Sequence, residues 1–390
     1  MPQTALRDRL ARLGAPLQPA PRPPDELPRG FEEVDTRFGP AMVRQDVLAL
    51  PPLDPHPGNF AYLDTETTGL AGGTGTYVFV AAVARPIDCG LRVAQIFLPQ
   101  PGREPAFLDA LVEELSAASG IATFNGASFD LPILRTRWVM ARMKDDLPHP
   151  PHIDLLTLTR ALYRHRLEQC NLRVVEERVL GYEREDPIPS AQVPDAYFDY
   201  LRSGAGPTLE AALEHNRLDV ISLVHLHSRL LLRLRGAETG MDAADWLALG
   251  QHRFRRGARA DGWRALRNAS SFASGDAAAT AGLTLARRLV RRGAIDGADT
   301  LLAWVESNAT EDLRVSVARA RLLEWRRRDP AQALSVVEAA QDRMPELAAE
   351  LEHRRDRLRR KLGRRLQRSA AGGRRVRQLQ LEAPISESAP

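Results

Sequence analysis

Asp64 and Glu66 stand one residue apart in the stretch AYLDTETTGL (61–70), and the apolar residues before them, Ala61 to Leu63, read as a buried strand. In a strand, side chains at i and i+2 leave the same face, so the two carboxylates aim at one spot. Carboxylates that close repel each other unless a cation lies between them. Hard oxygen donors of this kind suit Mg²⁺ or Mn²⁺. Alone, a D-x-E pair is more often a solvated acidic turn, but two further carboxylates accompany it here. In IATFNGASFDLPIL (121–134), apolar residues lead to Asn125 and Gly126, and a helix opens near Asp130, with Ser128 as its expected N-cap. A long amphipathic helix is expected over 208–233; it contains HNRLDVISL (215–223), which puts Asp219 in its interior and His215 four residues earlier on the same face. Four carboxylates can bridge two divalent cations roughly 3.5–4 Å apart, an arrangement that cleaves phosphodiesters. An imidazole is a suitable general base near neutral pH.

Each residue also has a plainer reading. Asp130 can be a helix-start acid that answers the dipole, and His215 can be structural or contact a phosphate. Asp154, in HIDLL, is either a helix N-cap or a support for the metal site. Asn125 and Phe129 would shape a nucleic-acid groove, by amide hydrogen bonding and by stacking on a base, although Phe129 reads equally well as core. The glycines of LAGGTGT (70–76) form a tight turn beside the site, since the Lys of a phosphate-binding P-loop is missing.

The order of these motifs resembles the DnaQ-like (DEDD) 3′–5′ exonucleases of the ribonuclease H-like superfamily. Asp64 and Glu66 match the first motif, Asp130 the second and Asp219 the third, and the resemblance covers residues 58–233. GLAGGTGTYVF (69–79), HIDLLTLTR (152–160), IPSAQVPDAYFDYLRSG (188–204) and HNRLDVISL narrow it to a bacterial group of YprB type, which often carries a helical repeat tail. The resemblance implies a metal-dependent 3′–5′ exonuclease on single-stranded DNA or RNA. Two Mg²⁺ or Mn²⁺ ions would be held by Asp64, Glu66, Asp130 and Asp219, with Asp64 bridging. One residue departs from the pattern. In the family a catalytic Tyr lies four before the last Asp in one subclass, and a catalytic His five before it in another; here His215 occupies the Tyr register. The alternatives are a ribonuclease H-like module that binds nucleic acid or protein without cutting, and a structure-specific endonuclease.

Composition sets the frame. The 390 residues allow two domains. Cys89 and Cys170 are the only cysteines and lack metal-knuckle spacing, so a reduced cytoplasmic setting is expected. No signal peptide and no bilayer-spanning run is read, so no membrane partner is expected. The net charge of +4 is unevenly placed: residues 353–377 hold 12 Arg or Lys and one acid, which leaves 42 basic and 49 acidic residues elsewhere, a net of −7. The Arg-rich segment 353–368 either clasps phosphates or is a solvated helix end.

The fold expected is an α/β ribonuclease H-like mixed sheet with flanking helices, followed by an all-α TPR-like helical repeat domain. A Pro-rich extension and adaptor would occupy residues 1–57, the nuclease-like domain 58–235, and the helical domain with its basic end 241–368. A disordered tail would follow over 369–390. Helices are expected over 128–143 and 155–180. The repeat rests on RRG at 255–257 and 291–293 and RRD at 327–329, each offset by 36 residues. Its helices offer a surface for a protein partner. Trp246, Trp263, Trp304 and Trp325 read as helix-packing core, and the hairpins upstream of residue 350 would fold without the basic end.

Overall fold

A computed structural model describes residues 27–381 apart from 70–74, 89, 144–150, 186, 273–274 and 309–311, with side chains up to residue 367. The N-terminal Pro-rich linker, most of the LAGGTGT turn, Cys89 and residues 382–390 fall outside the described residues. The chain divides into two compact units, residues 1–160 with 166–235 and residues 161–165 with 236–390. Among the described residues no helix is long and apolar enough to cross a membrane.

The first unit is built on a seven-stranded mixed sheet. Its strands are β1 (Glu32–Thr36), β2 (Gly39–Leu48), β3 (Phe60–Thr67), β4 (Val78–Ile87), β5 (Gly90–Phe97), β6 (Gly120–Thr123) and β7 (His152–Asp154), in the order β1-β2-β5-β4-β3-β6-β7. The apolar run from Val78 to Ala84 in β4 is wholly buried. An unbroken apolar strand of this kind needs cover on both faces, which makes β4 the middle of the domain. β3 runs antiparallel to β4 and parallel to β6. Its pairing with β6 stops at Tyr62, opposite Ala122. Beyond Tyr62 the β6-side edge of β3 is therefore open, and this is the stretch that carries Asp64 and Glu66.

Several expectations change. Residues 32–48 are not a separate adaptor: β1 and β2 form a hairpin, and β2 pairs antiparallel with β5, so both extend the sheet. Along the chain the helices are α1 (Glu104–Ser116), α2 (Asp130–Met140), α3 (Leu155–Tyr163), α4 (Leu172–Val175), α5 (Val193–Ser203) and α6 (Pro207–Arg235). The helix expected over 155–180 is broken after α3. The chain restarts at α4, whose N-cap Asn171 accepts from Val174 N at 2.9 Å, and a π turn over Glu176–Leu180 ends at Gly181 in the left-handed region. Ser128 does not cap α2, which begins after Phe129 with no side-chain cap. α6 packs on β3 and β4, and its buried face, including Leu209, Ala212 and Leu213, joins the core made by the sheet and α1.

The second unit is helical throughout its described residues. Its elements are α7 (Ala243–Arg255), α8 (Arg259–Ser270), α9 (Asp276–Arg291), α10 (Ile295–Asn308), α11 (Leu313–Leu322, continued by a π turn to Arg327), α12 (Pro330–Arg343) and α13 (Ala348–Leu381). The 36-residue offset marks the turn inside successive hairpins. Gly257 and Gly293 adopt left-handed φ at the ends of α7 and α9, and their neighbours make matching bonds, Ala258 N to Arg253 O and Ala294 N to Leu289 O. In the third turn the left-handed residue is Arg328, one position earlier than the glycines. Helices approach closely where Gly250 meets Leu266 and Gly282 meets Val305; a Cβ at either glycine would lie under 3.0 Å from its neighbour.

The C-terminal expectations also change. α13 continues to Leu381, so residues 369–381 prolong a helix. Leu351 and Leu358 are fully buried against Val336, Val337 and Ala340, so the hairpin core does not end before residue 350. Trp325 is 60% exposed and Trp304 41%, outside the core expected for them.

Candidate active site

Three elements bring the acidic residues together. β3 supplies Asp64 and Glu66, the start of α2 supplies Asp130, and α6 supplies Asp219 with His215 one turn earlier. Asp130 reaches the open edge of β3, where it accepts from the Thr65 hydroxyl at 2.6 Å. His215 Nε2 lies 3.9 Å from Glu66 Oε1 and 3.7 Å from Asp219 Oδ2. The imidazole is thus buried among carboxylates from two elements.

The electrostatics follow from burial and like charge. Burial first, then Asp219, Glu66 and Asp130, hold the Asp64 carboxyl well above the usual carboxylate range, against a hydrogen bond from Asn216. Burial, Asp219 and Asp130 raise Glu66 likewise. Burial pushes Asp130 up to about 6, opposed by bonds from the side chain and backbone of Thr65. Three carboxyls raised by burial and by one another, with Asp219 beside them, are a set that a divalent cation would complete.

Residues that sequence reasoning did not single out hold this cluster in place. The Asn216 amide donates to Asp64 Oδ2 at 2.8 Å. Gln95, buried in β5, donates to Asn216 Oδ1 at 3.1 Å and to the Leu213 carbonyl at 2.8 Å, and accepts from Arg44 Nε at 3.2 Å. A buried Gln within the apolar run RVAQIF was the available signal. On the other side, the Arg184 guanidinium bonds Asp219 and pairs with Glu176 Oε2 at 3.2 Å. The Ser222 hydroxyl donates to the same buried Glu176. No local pattern marks Arg184, which lies in the irregular stretch after Gly181.

Asp154 works at the loop beneath Asp130. It accepts from Asn125 N and Leu156 N at 3.0 Å each and from Ala127 N at 3.3 Å. It therefore combines a cap-like bond at the start of α3 with a clamp on the loop that carries the second motif. The clamp holds Asn125 at φ 68. Gly126 is required next, because a Cβ there would lie 2.4 Å from Thr123 Oγ1. Phe129 is 48% exposed and is not core. Behind the site, His227 Nδ1 lies 2.9 Å from the Tyr62 hydroxyl, and burial lowers the imidazole to about 4.

Among the described residues, the one trio of metal-type side chains with ligand atoms all within 4.8 Å is His165, Asp242 and Asp245, in the second unit. The capping of α7 accounts for its carboxylates. Asp242 and Asp245 exchange backbone bonds at 2.9 Å each, and His165 Nε2 lies 2.8 Å from Asp245. No three of the first unit's four carboxylates bring ligand atoms that close together.

Comparison with known proteins places this geometry. Residues 61–231 match the family model described as RNase_H superfamily. The Uncharacterized protein YprB of Bacillus subtilis (strain 168) is 37% identical over 172 residues, 43% of this chain and 41% of that protein. The chain thus matches less than half the length of this relative. The family B DNA polymerase from the hyperthermophilic archaeon Pyrobaculum calidifontis aligns over 62% of this chain and 33% of its own, at 16% identity and a TM-score of 0.35, a likeness too low to add to the assignment. The matched segment contains all four carboxylates and the strands from β3 onward, so over residues 61–231 the chain is similar to the RNase_H superfamily and to the YprB protein.

Proposed function

We propose that the chain is a divalent-metal-dependent nuclease, acting as a 3′–5′ exonuclease on single-stranded DNA or RNA in the cytoplasm. The observation that carries this reading is the convergence of Asp64, Glu66, Asp130 and Asp219 on a ribonuclease H-like sheet, with the His215 imidazole beside Glu66 and Asp219. These carboxylates would hold two Mg²⁺ or Mn²⁺ ions. When bound, such ions supply Lewis-acid activation of water and stabilise charge on the leaving oxygen. Asn216 orients Asp64, and Thr65 orients Asp130. His215 accepts the proton of the attacking water, held near it by Glu66 and Asp219. Phe129 offers its exposed ring to a terminal base, and Asn125 shapes the groove beside it. The 36-residue hairpin period supports a TPR-like reading of the second unit, which would dock a protein partner.

The test is incubation with end-labelled DNA and RNA oligonucleotides in Mg²⁺ or Mn²⁺. Asp64→Ala and Asp219→Ala should abolish cleavage, and His215→Ala should lower turnover by roughly 10²–10⁴, with His215→Tyr retaining activity. Products shortened from the 3′ end are expected; internal cuts would favour the endonuclease. Cleavage that survives EDTA or Asp64→Ala would refute the reading, and binding of the oligonucleotides with no cleavage in either metal would leave a non-cutting binding module.

A further inference from the structure

We infer that the second unit carries its own binding groove for single-stranded nucleic acid, centred on the exposed indole of Trp325. Two concavities share this residue. The first, of about 830 Å³, lies where the end of α11 and the start of α12 face α13. Arg328, Arg357, Arg360, Lys361, Arg364 and Arg365 line it, with Glu324 as its one acid. The second, of about 670 Å³, runs along α9 and α11. Arg287, Arg291, Arg321 and Arg326 stand around its apolar wall, which includes Leu283, and among the described residues no acid lines it. Among the described residues, ten cations thus border a surface with a single carboxylate.

That carboxylate is structural. Glu324 is 2% exposed. It bonds Arg357 and takes Lys361 Nζ at 3.3 Å, so two of the cations are fixed by it. Lys361 Nζ stands 4.6 Å from the Trp325 ring centroid, yet 60% of the residue's surface stays open. A row of guanidinium groups beside an exposed aromatic ring matches an unpaired strand, whose phosphates alternate with stackable bases. An acidic peptide would satisfy the charge but would leave the indole unused. The inference shares only its ligand class with the proposed nuclease.

The experiment is fluorescence anisotropy of the full chain with a labelled oligothymidylate in EDTA. Trp325→Ala should weaken binding roughly 5- to 150-fold, the range for one stacked base, and Trp325→Phe should stay near wild type. An abasic oligonucleotide should bind the wild type more weakly and erase the difference made by Trp325→Ala. Arg360→Glu with Arg364→Glu should lower the slope of log K against log salt by about 0.7 for each phosphate no longer neutralised. Unchanged affinity and slope in these variants would overturn the inference, as would polyglutamate that displaces the oligonucleotide equally well, which would assign the groove to an acidic protein. Metal is absent throughout, so cleavage without groove binding would sink this inference alone. Groove binding without cleavage would sink only the nuclease reading.

Discussion

At the Asp219 carboxylate two cations compete. The Arg184 guanidinium is already in place, and the divalent ion of the proposed mechanism would need the same oxygens. Arg184 also pairs with Glu176, a buried acid that accepts from the Ser222 hydroxyl. Removing the guanidinium should therefore have opposite effects on two measurements. Arg184→Met is expected to tighten Mn²⁺ binding about fivefold, the value of a modest ion pair, as read by titration calorimetry. It should also make the metal-free protein easier to unfold, because the buried pairing of Arg184 with Glu176 is lost. Weaker Mn²⁺ binding in Arg184→Met would mean that the arginine organises the site for metal instead of competing with it.

Among the elements, α13 is the one whose role changes most. Its Arg-rich start looks, by sequence, like a basic helix end that could be cut away after Glu352. In the structure Leu358 is buried in the core with Val336 and Val337, and Arg357 and Lys361 neutralise Glu324. Truncation would open a cavity and leave a buried carboxylate unpaired, so a loss of nucleic-acid binding after it would be uninterpretable. Point variants separate the effects. Leu358→Ala should cost about 2–5 kcal/mol in denaturant unfolding of the helical unit. Leu366→Ala, at a residue 71% exposed, should stay within about 0.5 kcal/mol of wild type. Equal effects from the two would show that α13 is not docked through Leu358.

For the whole molecule, the carboxylate cluster ties stability to pH and, on the proposed function, would tie it to metal. The Asp130 carboxyl is raised to about 6 from the usual 3.8. Between those values the folded chain keeps a proton that the unfolded chain has lost. Its stabilising effect is full at low pH and is lost as pH rises through about 6, by on the order of 3 kcal/mol. Asp64 and Glu66 shift in the same direction. In EDTA, hydrogen exchange along β3 and α6 should accelerate from pH 5 to pH 8 beyond its intrinsic base catalysis, and saturating Mg²⁺ or Mn²⁺ should slow it at the higher pH. Protection that is insensitive to metal at pH 8 would argue that the four carboxylates bind none.

What the sequence determined by itself is what depends on short-range geometry. Asp64 and Glu66 share a face because strands alternate with period two. His215 and Asp219 meet because helices return every 3.6 residues. The 36-residue offset was legible because glycine suits the left-handed turns at Gly257 and Gly293. The apolar runs of β3 to β6 announced the strands, although β1, β2 and the three-residue β7 were too short or too polar to read as part of the sheet. Only the tertiary structure could supply the rest. It placed Gln95 against Asn216, 121 residues apart, and Asn216 against Asp64, 152 residues apart. It put Arg184 on Asp219, buried Leu358 and left Trp325 exposed. Apart from Gln95, a polar residue inside an apolar run, none of these residues has an unusual local context. Their roles come from partners distant in sequence, and a distant partner leaves no period or motif in the chain. Burial and pairing are properties of the packed unit, so it took the packed unit to assign them.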